Sequence, residues 1–385
     1  MMPAHFPNEW PQGDRLEPPR IAVVGAGVAG AACAAGLLRA GFDVTVFDKS
    51  RGVGGRMATR RVQWQAADGS QHTSAFDHGC PHFTASRPRF QAVVDRAAAL
   101  GCATRCGQRV YATFPAPRLW QVVVPTPNMP AFCRHLLNGV PLRLGQAVTR
   151  LQRGATGWLL HLADGGTEGP FDQVLLAMPP AQAAALLAGH EDQWADALAA
   201  VRMAPCWTLM AVTDELDWPW DAAEVKRSEL AWIGRNDRRP GRGTPSRAGT
   251  AEWVAHATPA WSLAHLEDDP AQVTKLLRGA LAKLLPAAPK LRWHNTSVHR
   301  WRYAHPAQPA PGGSDFWWSQ GLGLGVCGDA FGNGSVEAAW GSGDELADAM
   351  AAALDAATAP SRAPEAEPEP EPEALPEPEL ADPVH

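Results

Sequence analysis

The sequence has no Cys-x-x-Cys pair, no Gly-Lys dipeptide and no Gly-x-Ser-x-Gly string. The first absence argues against a disulfide framework or a structural zinc site, and no metal is expected. The seven scattered thiols suit a reducing compartment, so a cytoplasmic location is expected. The second absence excludes a P-loop and the third a hydrolase nucleophile elbow. The first twenty residues lack the apolar stretch of a signal peptide. No solenoid-type repeat is present. Positive charge is not in excess either. The net charge is −6, and residues 363–385 hold seven Glu, one Asp and no Lys or Arg. The rest of the chain is therefore close to neutral, with no electrostatic footprint for nucleic acid. Ile21–Leu38 is uncharged and long enough to enter a bilayer. Its four Gly and seven Ala bury little apolar area, and no membrane association is expected.

What is present points to a large folded body. The chain has 385 residues, 45% of them hydrophobic and 19% charged, which predicts two to three domains around sizeable cores. Ile21–Val24 reads as a buried strand, followed by a glycine turn, an Ala-rich helix to about Ala40 and a second strand, Val44–Asp48. This is the opening of a βαβ unit. Further strands are expected at Ala147–Leu151, Trp158–Leu162 and Phe171–Met178. From 186 to 294 apolar and polar residues mix as in an antiparallel sheet. A helix is predicted over Pro270–Leu285 with Asp269 as its cap. A Gly-rich strand at 321–330 and a helix over Val336–Leu354 follow. The expected class is α/β: a Rossmann-type domain with an inserted α+β antiparallel-sheet domain. Residues 1–20 read as a flexible lead-in. Residues 21–95, 140–185 and 295–358 form the discontinuous cofactor domain, and 96–139 with 186–294 the substrate domain. Residues 359–385 alternate Pro and Glu, a solvated tail with no core and no identified partner.

Gly25-x-Gly27-x-x-Gly30 follows a strand and opens a helix, and Asp48 stands twenty-one residues after Gly27. That context makes it a dinucleotide fingerprint. Gly25 permits the tight turn, Gly27 lets the backbone approach a pyrophosphate, and Gly30 allows close helix–strand packing. The helix N-terminus offers free N–H groups and a positive dipole end. Asp48 can accept hydrogen bonds from a ribose diol. A second glycine pair with Arg56 follows, in Arg51-Gly-Val-Gly-Gly-Arg-Met57. It would let a long cofactor lie against the backbone with Arg56 facing its phosphates.

These strings resemble the FAD-dependent amine-oxidase-like flavoproteins, which carry an acid and then Gly-Gly-Arg after the Rossmann turn. The segment GLGVCGDAF at 323–331, followed by GNGSVEAAWGSG, agrees. Four further strings resemble bacterial renalase-like oxidoreductases. They are FDHGCPHFTA at 76–85, AWIGRN at 231–236, EWVAHA at 252–257 and HRWRYA at 299–304. The resemblance runs in consistent order from about residue 20 to 355. It implies a p-hydroxybenzoate-hydroxylase-like fold with noncovalent FAD. By that resemblance, Ala29, Lys49, Gly55, Met57, His82, Phe83 and Val148 join the glycines, Asp48 and Arg56 around the cofactor. Gly328 and Asp329 take the ribityl chain, and Ser335, Val336 and Glu337 open the helix facing the flavin pyrimidine. It also implies oxidation of 2- and 6-dihydro isomers of NAD(P): hydride passes to flavin N5, and dioxygen reoxidises the flavin to give hydrogen peroxide. An amine- or desaturase-type oxidase and a non-catalytic flavoprotein stay open as alternatives.

Sixteen Trp, eleven of them between 194 and 318, fit a flat aromatic slot, although most are expected in the core. Trp232 and Trp301 are the candidates to line it, with Asn236, His256 and Arg302 as polar neighbours. The sequence departs from the family at Cys80-Pro81-His82, where Ala, Gln and an aromatic residue are usual. It departs again at PTPNM, 125–129. His78-x-x-x-His82 has metal-ligand spacing, but Gly79 and Pro81 break the helix it would need. Cys80 falls beside the expected flavin edge and reads as a small buried thiol.

Overall fold

The computed structural model describes residues 17–112, 118–243, 245–285 and 291–358. The Pro/Glu tail and most of the expected lead-in lie outside them. The apolar run after Arg20 forms the strand Arg20–Val24, the glycines turn, and the Ala-rich stretch forms the helix Val28–Arg39. The strand Asp43–Asp48 returns parallel to the first. These two strands sit inside a six-stranded sheet. Gln173–Leu176 pairs parallel on the far side of the first strand, and Leu324–Cys327 pairs parallel beyond it. Leu142–Leu144 closes one edge, and Phe316–Ser319 closes the other as an antiparallel strand. Distant parts of the chain thus build one sheet, as a Rossmann-type fold requires.

The last helix, Val336–Thr358, packs directly on the first. Small residues bring the two backbones together. A Cβ added at Gly343 would stand 2.1 Å from the carbonyl oxygen of Ala29. Ile21, Val23, Leu37, Leu346 and Met350 fill the core between these helices and the sheet. On the other sheet face, Trp158, Leu160 and Phe171 of a small three-stranded sheet and Leu187 of a short helix pack against Ala22, Val24 and Leu176.

A seven-stranded, largely antiparallel sheet carries the rest. Trp293–Pro306 forms one edge, followed by Met203–Asp214 and Thr250–Ala257. Leu230–Arg235, Ala222–Glu224 and the hairpin Ala103–Ala112/Arg118–Pro125 extend it. One face packs on the helix Pro270–Leu284 through Trp207, Trp253, Leu277 and Leu281. Asp269 caps this helix, its carboxylate accepting from the N–H groups of Ala271 and Gln272. The buried indoles keep their polar ends satisfied: Trp207 donates to the His265 carbonyl at 2.9 Å and Trp253 to Thr213 Oγ1 at 3.0 Å. The other face turns toward the loop 77–83 and the hairpin formed by Arg60–Gln65 and Gln71–Phe76.

The α/β class with an antiparallel sheet is the architecture expected from the sequence. The uncharged stretch Ile21–Leu38 divides into strand, turn and helix. Among the described residues no helix is long and apolar enough to cross a membrane.

Candidate active site

The dinucleotide turn is built by exclusion. Gly25 has φ +119°, and a Cβ at Gly30 would stand 1.9 Å from the Gly25 carbonyl oxygen, so neither position admits a side chain. A Cβ at Gly27 would meet nothing within 4 Å. Gly27 therefore faces an open cradle. It is also the N-cap of the first helix, with no side chain capping the N–H groups there. Gly55 comes to the same cradle, its Cβ position 3.4 Å from Gly27 Cα. Asp48 lies at this end. Its carboxylate accepts from Ala26 N at 2.8 Å and Ser50 N at 2.7 Å, which anchors it beside the turn. The Gln146 N–H donates to the Asp48 carbonyl, and Val148 follows two residues later, half-buried, at the start of its strand. Lys49 is exposed, 3.4 Å from the Gln182 amide oxygen. An open glycine cradle at an uncapped helix N-terminus, with a carboxylate at its side, fits the diphosphate and ribose of FAD.

Arg56 and Asp329 hold one another. Nη1 and Nη2 of Arg56 reach the two carboxylate oxygens at 2.7 and 2.5 Å, and Nη1 also reaches the Ala304 carbonyl. Asp329 follows Gly328 at the head of a short helical turn, and Gly328 N–H donates to Ser342 Oγ. Ser335 caps the last helix by accepting from Ala338 N, with Val336 as the first helical residue. Glu337 lies in the first turn of that helix. Its carboxylate accepts from Ser86 N, Ser86 Oγ and Arg87 N, which ties it to the chain entering the helix Pro88–Ala99.

A cavity of about 150 Å³ opens next to Arg56. Gly79, Thr208, His256, Trp301 and His305 are among its walls. The strand pleat explains this set. Trp232, His256, Thr208 and His299 are successive cross-strand partners and share one sheet face. Trp301 opposes Cys206 one step along the same face. Trp301 stacks on His78 with centroids 4.9 Å apart and donates its indole N–H to the His78 carbonyl at 3.0 Å. Trp232 lies 5.2 Å from His256 and 6.5 Å from His82, ring to ring. Burial lowers the imidazoles of His78, His82, His256 and His299 to about 4, so all four are neutral at pH 7. Burial pushes the Cys80 thiol up to about 11, and it donates to the His82 carbonyl. It is therefore a thiol at neutral pH.

Trp232, His256 and Trp301 come together, and His82 joins them from the loop. Arg302 does not. Adjacent strand residues point to opposite faces, so Arg302 leaves the cavity side and pairs with Glu267 at 2.5 and 2.8 Å. Asn236 is buried, but both ends of its amide are used. Oδ1 accepts from Asp77 N, and Nδ2 donates to the Ala75 carbonyl. It positions the loop that carries His78 and His82. The Phe83 side chain turns into the core against Phe90 and Phe132, and Met57 is likewise a core residue. Thr208, His78 and His299 were not among the sequence candidates, nor was the cluster of Asp77, Arg239 and Arg242. Asp77 and His78 lie inside the motif string at 76–85. The two arginines flank a Pro-Gly turn and carry no pattern of their own.

The fold and the cradle define a dinucleotide-binding flavoprotein. Residues 23–97 match the NAD(P)-binding Rossmann-like domain, and residues 121–351, more than half of the chain, match the flavin containing amine oxidoreductase family. The chain belongs to that family and is an FAD-dependent oxidoreductase. Among solved structures, it is similar to a reduced UDP-galactopyranose mutase (TM-score 0.65, 11% identity, 87% of this chain and 94% of that one). It is also similar to a redesigned putrescine oxidase (TM-score 0.60, 13% identity, 87% and 99%). At these identities the likeness is one of fold. A curated relative is the tRNA 5-methylaminomethyl-2-thiouridine biosynthesis bifunctional protein MnmC of Magnetococcus marinus. It is 27% identical over 214 residues, 45% of this chain and 32% of the relative. The match thus spans about a third of that relative's length.

Proposed function

We propose that the protein is a renalase-like oxidase that binds FAD noncovalently and oxidises dihydronicotinamide isomers, the 2- and 6-dihydro forms of NAD(P), with dioxygen as acceptor. The observation that carries this reading is the cavity beside Arg56 with Trp301 and His256 in its walls, the first backed by His78 and the second by Trp232. It offers an indole and an imidazole that burial holds neutral. Hydride transfer asks for a planar donor at close range and little acid–base chemistry. Bound FAD supplies the two-electron acceptor, and dioxygen then takes the electrons to give hydrogen peroxide. Gly25, Gly27, Gly30 and the first helix hold the diphosphate, and Asp48 the ribose. Asp329 with Arg56 holds the ribityl region. Trp301 and Trp232 stack the donor ring, and the loop 77–83 excludes water. The un-ionised Cys80 thiol supports a noncovalent cofactor.

Anaerobic titration of the flavin absorbance tests the reading. Bleaching by 6-dihydro-NAD(P), but not by ordinary NAD(P)H or a panel of amines, with peroxide formed on readmission of air, is expected. Bleaching by an amine alone, or by none of these donors, overturns it.

A further inference from the structure

The inner end of the cavity beside Arg56 holds two polar groups with unmet hydrogen-bonding capacity. His256 Nε2 is buried and has no hydrogen-bond partner among the described residues. Thr208 is fully buried, and its hydroxyl meets Cys206 Sγ at 4.0 Å, a weak partner that leaves the oxygen free for a stronger one. Both residues are walls of the cavity. They are direct cross-strand partners, so their side chains stand side by side on one sheet face. Exposure rises toward the other end of the cavity, where the Arg56 side chain is 32% exposed and His305 lies at the surface. A ring that enters past His305 therefore meets Thr208 and His256 last.

The chemistry of this pair is specific. Whichever ring nitrogen of His256 carries the proton, Nε2 is unsatisfied: protonated it lacks an acceptor, and bare it lacks a donor. The Thr208 hydroxyl turns to donate or to accept. A carboxamide offers a carbonyl oxygen and an N–H group in one plane, so it satisfies the pair in either tautomer. Burial holds the imidazole neutral, and Arg56, the guanidinium in the wall, already has its carboxylate partner in Asp329. The inner end thus asks for a neutral group, and a polar atom buried there without a partner is unfavourable until one arrives. Trp232, 5.2 Å from His256 ring to ring, backs the imidazole, and Trp301 supplies a flat wall. The cavity volume of about 150 Å³ takes one aromatic ring.

We propose that Thr208 and His256 form a clip for the carboxamide of the donor ring, which fixes the ring's orientation in the cavity. The proposal rests on the reading of this cavity as the donor site. The flavin pyrimidine carries the same carbonyl and N–H chemistry, and the experiment separates the two sources.

The FAD-loaded full-length protein is titrated by calorimetry with nicotinamide and with 3-methylpyridine, which keeps the ring and replaces the carboxamide by a methyl group. Nicotinamide is expected to bind more tightly by about tenfold or more, the scale of two net hydrogen bonds. His256→Phe and Thr208→Val each reduce that preference by about three- to tenfold, and Thr208→Ser, which keeps the hydroxyl, retains it. Retained FAD shows that each variant is folded. Should His256→Phe lose FAD, the contrast between Thr208→Val and Thr208→Ser decides. Equal affinities in the parent, or no binding of nicotinamide, overturn the proposal. A preference that neither His256→Phe nor Thr208→Val changes does so as well. Weaker FAD binding in both variants with the nicotinamide preference intact assigns the pair to the flavin and refutes the clip. A nicotinamide preference that depends on Thr208 and His256, in a protein that dihydronicotinamides do not bleach, refutes the proposed donor and leaves a carboxamide clip standing.

Discussion

Asp77→Asn is the most informative single change to stability. The parent holds one buried negative charge against two buried positive ones, tied by hydrogen bonds of 2.5 to 2.8 Å. An amide keeps the shape but removes the charge, leaving two guanidiniums buried side by side. Breaking one buried ion pair in this way costs about 3–5 kcal/mol, and here two pairs lose their partner. Arg239→Met has the opposite logic. It leaves Asp77 paired with Arg242 and Thr59, and it removes the cation whose second edge has no partner. Its cost should stay within about 1 kcal/mol, because the remaining cluster is neutral and satisfied. The double variant should recover part of the Asp77→Asn loss, since one repelling charge is gone. Urea unfolding of the FAD-loaded protein, followed by flavin and tryptophan fluorescence, gives the three differences. Equal losses for the two single variants would show that the cluster is not an uncompensated positive site, and the charge count would be wrong.

Four further outcomes are expected. The imidazoles of His78, His82, His256 and His299 are lowered by burial to about 4, whereas in the unfolded chain they titrate near about 6.5. The unfolded chain therefore takes up protons first, and stability should fall as pH drops from about 6.5 toward 4, with a shallower slope in His256→Gln, as unfolding at stepped pH would show. Glu337 loses some ionisation to burial, but the Ser86 hydroxyl and the Ser86 and Arg87 N–H groups outweigh this and hold its carboxyl below the ordinary value. Its stabilisation is present above the unfolded carboxylate pKa and is lost as pH falls through the lower folded one, so Glu337→Gln should flatten the acid limb of a melting-temperature profile. Trp301→Phe removes the donor to the buried His78 carbonyl, which should cost about 1–3 kcal/mol in urea unfolding and weaken ring binding in the flavin titration. Arg302→Met, on the opposite sheet face, should leave the rate of flavin bleaching in stopped flow unchanged.

The dinucleotide end was legible because its chemistry is local. A strand, three glycines and a carboxylate at fixed spacing constrain the backbone within thirty residues, and the turn at Gly25–Gly30 has that form. The helix Pro270–Leu284 was legible for the same reason: Asp269 and Pro270 mark its start where the structure places it. The cavity beside Arg56 was only partly legible. Trp232, His256 and Trp301 stand in recognisable strings, but their meeting depends on the register of strands separated by up to some seventy residues. Reading Trp301 and Arg302 as site partners overlooked the two-residue period of a strand, which sends neighbours to opposite faces. The Asp77 cluster was not legible. Its members are 162 and 165 positions apart, and only the fold shows that one carboxylate serves two arginines.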